Sequence, residues 1–327
     1  MYVIPLLSVM STYSSSWWTS IMSMELNTIF FLPFLSKQKL NQPLFSMWVY
    51  FLFQALGSML IYFSVVSTFV GGFEVSFFTT QQSCMLIMMG VMMKLGLSPF
   101  HSYFLHISEG LGWKEFWILN SIIKLPIILC STSLLSNTPD PYIVLILIGS
   151  AVVMMISFMK ENSLRRILVL SSGINMVWIL IAGVIISTKF LLTMFMGYLL
   201  SLSGVVLLFM KSNFNKFEML SSLNSKLSLK GKILFAVVFC TLMGMPPLYM
   251  FFFKLKVIFE VNNLLPPSLS LILILINAFM AYPYCLLMTN LIFMKSSSIL
   301  LKSSNHIHWW IGVLVFTSII GSLLLMA

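Results

Sequence analysis

Charge is scarce in this 327-residue chain, which holds 18 Lys+Arg and 8 Asp+Glu, or 8% of its residues. Soluble domains are roughly a quarter charged. With 59% hydrophobic residues and a mean hydropathy of +1.02, there is too little polar surface to cover a water-soluble globule. A soluble enzyme, a disordered chain and a nucleic-acid module are excluded. The net charge of +10 does not restore nucleic acid as a partner, because the basic residues are scattered between apolar runs and form no stripe. Cysteine is sparse too. Cys84, Cys130, Cys240 and Cys285 lie in apolar runs without paired spacing, so they point to neither a disulfide framework nor a metal site. No nucleotide loop and no nucleophile-plus-base constellation occurs, so redox or hydrolytic chemistry and a bound cofactor are not expected of this chain alone. The opening MYVIPLLSVM lacks a basic n-region and a cleavage site, which argues against a secretory signal. What fits is an all-α polytopic membrane protein. Its abundance of Met (26), Phe (29) and Ser suits a biased organellar genome.

A spanning helix needs about 20 predominantly apolar residues. On that criterion spans are expected near 2–15, 17–35, 44–70, 81–98, 113–135, 142–159, 165–187, 190–210, 232–255, 266–294 and 307–326. That makes about eleven, the first short because it runs into Ser14-Ser15-Ser16. If all cross, the loops after even-numbered spans lie on the side of the N-terminus. They and the adjoining span ends hold Lys37, Lys39, Lys114, Lys160, Arg165, Arg166, Lys211, Lys216, Lys226, Lys230, Lys232, Lys295 and Lys302. The other side holds Lys189 and Lys256. Thirteen against two is a strong positive-inside asymmetry, placing the N-terminus in the cytoplasm or its mitochondrial equivalent, the matrix. Residues 211–231 (KSNFNKFEMLSSLNSKLSLKG) mix Lys with Phe214, Phe217, Met219, Leu220 and Leu223. They read either as an amphipathic segment lying on the positive face or as a solvated loop.

Three basic residues, Lys94, Lys124 and Lys254, and one acid, Glu25, fall inside the apolar runs. Each costs at least about 2.5–3.5 kcal/mol at a helix centre, a penalty a merely structural bundle would avoid, so each is a functional candidate. Lys94 and Lys254 lie in the second half of their spans and also suit snorkelling. Glu25 cannot snorkel well, and Lys124 is close to mid-span. The helices holding these lysines carry breakers: Gly96 and Pro99 after Lys94, Pro126 after Lys124, and Gly244, Pro246 and Pro247 before Lys254. Irregular backbone at membrane depth marks a water-lined cavity. Breaks near 94–99 and 244–254 fall five spans apart, as in two inverted five-helix repeats, about 1–135 and 142–294, with 307–326 an added helix. Lysines with one nearby carboxylate can switch between charged and neutral, which moves protons in steps. His101 and His106, near Glu109 and Glu115, read either as proton-uptake groups feeding Lys94 or as interfacial residues of a capped loop. His306 and His308 precede Trp309-Trp310 as an aromatic-belt anchor.

The segments SMELNTIFFLPFLSK, MKLGLSPFH, EGLGW, the Lys124 helix, NSLRRILVLSSGINMVW and GMPPLYMFFFK occur in one order over roughly residues 17–290. In that order and spacing the chain resembles the second-subunit family of mitochondrial NADH:ubiquinone oxidoreductase, respiratory complex I, in an invertebrate style. The resemblance implies an antiporter-like, proton-pumping subunit of the membrane arm in the mitochondrial inner membrane. It places Glu25, Lys94, Lys124 and Lys254 at the family's Glu and three Lys along a central hydrophilic axis. It implies neighbouring antiporter-like subunits as partners, and FMN, iron-sulfur clusters and ubiquinone in other subunits. An anionic phospholipid such as cardiolipin suits the basic face. Some positions depart from the family pattern. Asn175 stands where a His is usual, and Asn cannot carry a proton near neutral pH. Met243 replaces one of two glycines before the prolines, Phe253 and Leu255 flank Lys254, Lys256 is extra, and Leu105 replaces a proline. Two alternatives stay open: a free-standing cation/proton antiporter, and a structural spacer whose lysines stay charged and static.

Overall fold

A computed structural model describes residues 3–13, 17–36, 43–70, 80–135, 141–212, 229–246 and 248–293. Pro247, most of the 211–231 segment, both His306 and His308, and the expected span 307–326 lie outside the described residues. Within them every regular element is helical. In chain order these are α1 (Val3–Tyr13), α2 (Trp17–Leu35), α3 (Pro43–Val70), α4 (Thr80–Leu95), α5 (His101–Gly110), α6 (Trp113–Asn120) and α7 (Lys124–Leu135). There follow α8 (Pro141–Lys160), α9 (Leu164–Ile185), α10 (Thr188–Ser212), α11 (Leu229–Met243), α12 (Tyr249–Leu264) and α13 (Pro267–Phe293). Six helical stretches among the described residues are long and apolar enough to cross a membrane: Pro43–Ser67, Trp113–Leu135, Pro141–Lys160, Leu164–Ile185, Thr188–Met210 and Pro267–Thr289. The chain is a multi-pass membrane protein.

Two compact units divide the chain, residues 1–154 and 155–327. In the first, α7 packs against α1, α2 and α4, while α3 lies along α4 and touches α5. In the second, α12 packs against α9, α10, α11 and α13. Helix α9 is buried without interruption from Ile167 to Val184. Beyond Arg166 it carries no charged residue, and its apolar residues cover every side, interrupted by Ser171, Ser172 and Asn175, which is the pattern of a core helix.

The breaks set the architecture. Helix α4 stops at Gly96, whose φ of +68° suits glycine because it has no Cβ. Leu97 N–H donates to Met92 O (2.9 Å) and Gly96 N–H to Met93 O (3.3 Å), a Schellman cap. Gly244, with φ +74°, ends α11 in the same way. There Met245 N–H donates to Cys240 O (3.2 Å) and Gly244 N–H to Thr241 O (3.2 Å). Even the next bond recurs, Phe100 N–H to Leu97 O (2.8 Å) and Leu248 N–H to Met245 O (3.0 Å). A proline three residues past each glycine, Pro99 and Pro247, belongs to the same punctuation in sequence.

Three details differ from the expected spans. The stretch read as 232–255 is two helices, α11 and α12, reaching from Leu229 to Leu264. Residues 101–110, which one reading made a capped loop, form α5, because Tyr103, Phe104, Ile107 and Ser108 recur at helical spacing and are buried. The span 113–135 is interrupted at residues 121–123, ahead of Lys124. Pro126 explains that position. It sits in the first turn of α7, where its missing N–H is tolerated, and its ring blocks continuation from the preceding turn.

Candidate functional site

In the first unit Glu25 of α2 and Lys94 of α4 come together, with Lys94 Nζ 2.9 Å from Glu25 Oε1. The lysine side chain is 1% exposed and the glutamate 22%. Lys94 lies in the last turn of α4, where the helix dipole favours a cation. Two carbonyls of that turn accept from side chains, that of Lys94, which the break leaves without a backbone partner, and that of Met93, which also takes the Gly96 N–H of the cap. Gln54 Nε2 of α3 donates to Lys94 O (3.0 Å), and the Tyr103 hydroxyl of α5 donates to Met93 O. Gln54 also donates to Tyr103 Oη (3.4 Å), and Tyr103 stacks on Phe53 with ring centroids 4.4 Å apart. Irregular backbone at this depth is therefore satisfied by protein.

Gly57 of α3 makes room for the lysine stem. A Cβ there would lie 2.8 Å from Lys94 Cγ and 3.0 Å from Gly90 O. Gly57→Ala is therefore expected to destabilise the subunit by about 1–3 kcal/mol through overpacking. A lowered thermal midpoint of its dissociation from the assembled complex is the check.

Lys124 is buried at the start of α7, and its Nζ stands 4.7 Å from the centroid of the Phe104 ring of α5. The same ring abuts Gly96, where a Cβ would come within 2.8 Å of it. Phe104 thus lies against both the α4 break and Lys124. A buried cation over an aromatic face gains about 2 kcal/mol. His101 opens α5 and is half-buried, whereas His106 is exposed.

Lys254 belongs to the second unit and is 1% exposed. Its Nζ donates to Met243 O (3.1 Å), at the C-terminus of α11, and to Asn277 Oδ1 of α13 (2.8 Å). It also stands 5.6 Å from the centroid of the Trp178 ring of α9. Its tail lies over Gly244, where a Cβ would meet Cδ at 3.2 Å and Nζ at 3.3 Å. Among the described residues no carboxylate pairs with it. Asn175 is buried one turn before Trp178, and neither atom of its amide has a hydrogen-bond partner among the described residues. No group of three or more His, Cys, Asp or Glu that could hold a metal occurs among the described residues.

Sequence reasoning missed Gln54, Phe104, Trp178 and Asn277. Gln54 had a signal, being the one amide in the 28-residue apolar run of α3. Asn277 stands likewise inside LILILINAFMAY. Phe104 and Trp178 had none, because an aromatic residue in an apolar helix reads as core.

The family described as NADH:quinone oxidoreductase/Mrp antiporter, TM, matches residues 14–281. NADH-ubiquinone oxidoreductase chain 2 of Rhipicephalus sanguineus is 28% identical over 299 residues, covering 90% of this chain and 89% of the relative. Its counterpart in Peropteryx kappleri is 30% identical over 275 residues, covering 81% and 78%. Among solved structures, a chain of respiratory complex I from Thermus thermophilus superposes with a TM-score of 0.82 at 17% identity, over 98% of this chain and 77% of that one. A chain of the Mrp complex from Dietzia sp. gives 0.74 at 10% identity, over 90% and 60%. These matches bear out the family resemblance seen in the motifs, and the chain belongs to the NADH:quinone oxidoreductase/Mrp antiporter family of transmembrane proteins.

Proposed function

We propose that this chain is a proton-translocating, antiporter-like subunit of respiratory complex I, coupling oxidation of NADH by ubiquinone to proton pumping across the mitochondrial inner membrane. The observation that carries the reading is the Glu25–Lys94 ion pair, held at the end of a helix broken within the membrane protein's own core. A pair so placed is costly as mere scaffolding. It becomes useful if its pairing is made and broken. A change at Glu25 alters the charge of Lys94, and Lys124 and Lys254 take up the change in turn. Oxidation itself belongs to other subunits, with their FMN, iron-sulfur clusters and ubiquinone, and adjacent antiporter-like subunits are the membrane-arm partners. The eleven-span topology, the two inverted repeats and a matrix-side N-terminus complete the proposal. Their support is the matching pair of glycine caps at Gly96 and Gly244 and the thirteen-to-two charge asymmetry. The proposal also takes His101 and the exposed His106 as proton-uptake groups feeding Lys94.

The family description, which names the Mrp antiporter beside NADH:quinone oxidoreductase, bears on one rival, a free-standing cation/proton antiporter. A native gel of detergent-solubilised membranes, stained for NADH oxidation and searched for peptides of this chain by mass spectrometry, separates the two. The peptides are expected in the large NADH-oxidising band. Their confinement to a small band without that activity would leave the autonomous antiporter in its place.

A further inference from the structure

We propose that Asn277 is the partner that lets Lys254 exist in both protonation states, its amide accepting from the ammonium and, turned over, donating to the neutral amine. The inference rests on the pumping role proposed above and adds a positioning residue to it.

An ammonium has three N–H donors and no lone pair. Around Lys254 three acceptors meet it: Asn277 Oδ1 at 2.8 Å, Met243 O at 3.1 Å and the face of the Trp178 ring. All three are uncharged. When Lys254 releases its proton to a water molecule, the N–H electrons stay on Nζ as a lone pair. The amine then has two donors and needs one partner that donates. Met243 O cannot, because a carbonyl only accepts and its place is fixed at the Gly244 cap. The indole face cannot either. Asn277 carries an acceptor and a donor on one swivel, and a half-turn about its terminal torsion, a soft two-fold rotor, exchanges them. Its Nδ2 holds no other bond among the described residues, and the side chain is half-buried, which leaves the amide room to turn.

The contrast with Lys94 gives the arrangement its meaning. Glu25 opposes loss of the proton from Lys94, since its carboxylate would be left without its cation. At Lys254 nothing charged remains behind when the proton leaves. A site that leaves no stranded charge on release suits repeated loading and unloading.

The test uses Asn277 variants assembled into the whole complex and reconstituted into sealed vesicles. NADH-driven proton pumping is read beside NADH oxidation, and assembly is verified on a native gel. Asn277→Asp is the decisive variant. A structural acceptor role would be filled at least as well by a carboxylate, which pins the ammonium. The proposal expects pumping to fall about tenfold, the size of effect when one hydrogen bond to a charge is mis-set. Asn277→Gln, which retains the amide, is expected to keep most of the activity, and Asn277→Leu, which lacks it, to lose it. Pumping at the parental level in the Asp variant overturns the proposal, and so do equal activities of the Gln and Leu variants. Lys254→Met is run alongside. If it abolishes pumping while the Asp variant pumps normally, only the role of Asn277 fails. If Lys254→Met pumps normally, the function assigned to Lys254 fails with it.

Discussion

Replacing Lys94 by methionine is expected to reduce NADH-driven proton pumping to about a tenth or less while leaving the complex assembled. Methionine matches the stem in length and flexibility and removes the charge. The carboxylate left behind is not sealed in, because Glu25 is 22% exposed and can recruit water or a proton. The reverse substitution is harsher on stability. Glu25→Gln leaves the ammonium of Lys94, 1% exposed, without its counter-charge. Stranding one member of a buried pair costs about 3–5 kcal/mol. Both variants should lose pumping, but the glutamine variant should yield visibly less assembled complex. Native-gel intensity and proton uptake, measured on the same membranes, check the two halves of this expectation. Equal assembly of the two variants would show that exposure does not distinguish the partners.

The second large effect belongs to the glycine caps. Gly96→Ala places a side chain at φ +68°, a region that costs an L-residue about 1–2 kcal/mol. Its Cβ would also lie 2.8–2.9 Å from three atoms of Phe104. That ring bears on Lys124, so displacing it moves the lysine as well. Gly244→Ala meets a similar backbone penalty at φ +74°, but its Cβ faces the pliant end of Lys254 at 3.2–3.4 Å. The Gly96 variant is therefore expected to lower the thermal midpoint of the assembled complex more than the Gly244 variant does. Thermal dissociation followed by native gel would reveal the order, and the opposite order would contradict the role given to Phe104.

Much of this was legible in sequence because membrane insertion penalises charge so heavily. Glu25 and the three lysines stand out against apolar surroundings, and the structure pairs two of them. The glycine positions were legible for a related reason: a glycine followed by proline three residues on is helix punctuation with a physical cause. Other features were not. The interruption before Lys124 lies upstream of Pro126 because a proline disturbs the turn preceding it, which a reading centred on the proline itself passes over. Helix α5 looked like a loop because its ten residues are too short for a span and its apolar face is narrow. Phe104 and Trp178 were hidden for another reason. An aromatic ring is apolar to a hydropathy count and an acceptor to a cation, and only geometry tells which face is used. Asn277 and Gln54 are lone amides in apolar runs, and being uncharged they carry a smaller insertion penalty than the lysines and Glu25 and stand out less.

The central claim is that the buried lysines take part in moving protons and are not static fixtures. The proton-to-electron ratio of the complex with Lys124→Met, reconstituted into sealed vesicles, tests it most directly. Methionine keeps an apolar contact with Phe104 and should leave assembly intact. A ratio clearly below that of the parent complex, with the subunit present in stoichiometric amount, is the predicted result. A ratio equal to that of the parent would contradict the account and make this chain a spacer of the membrane arm.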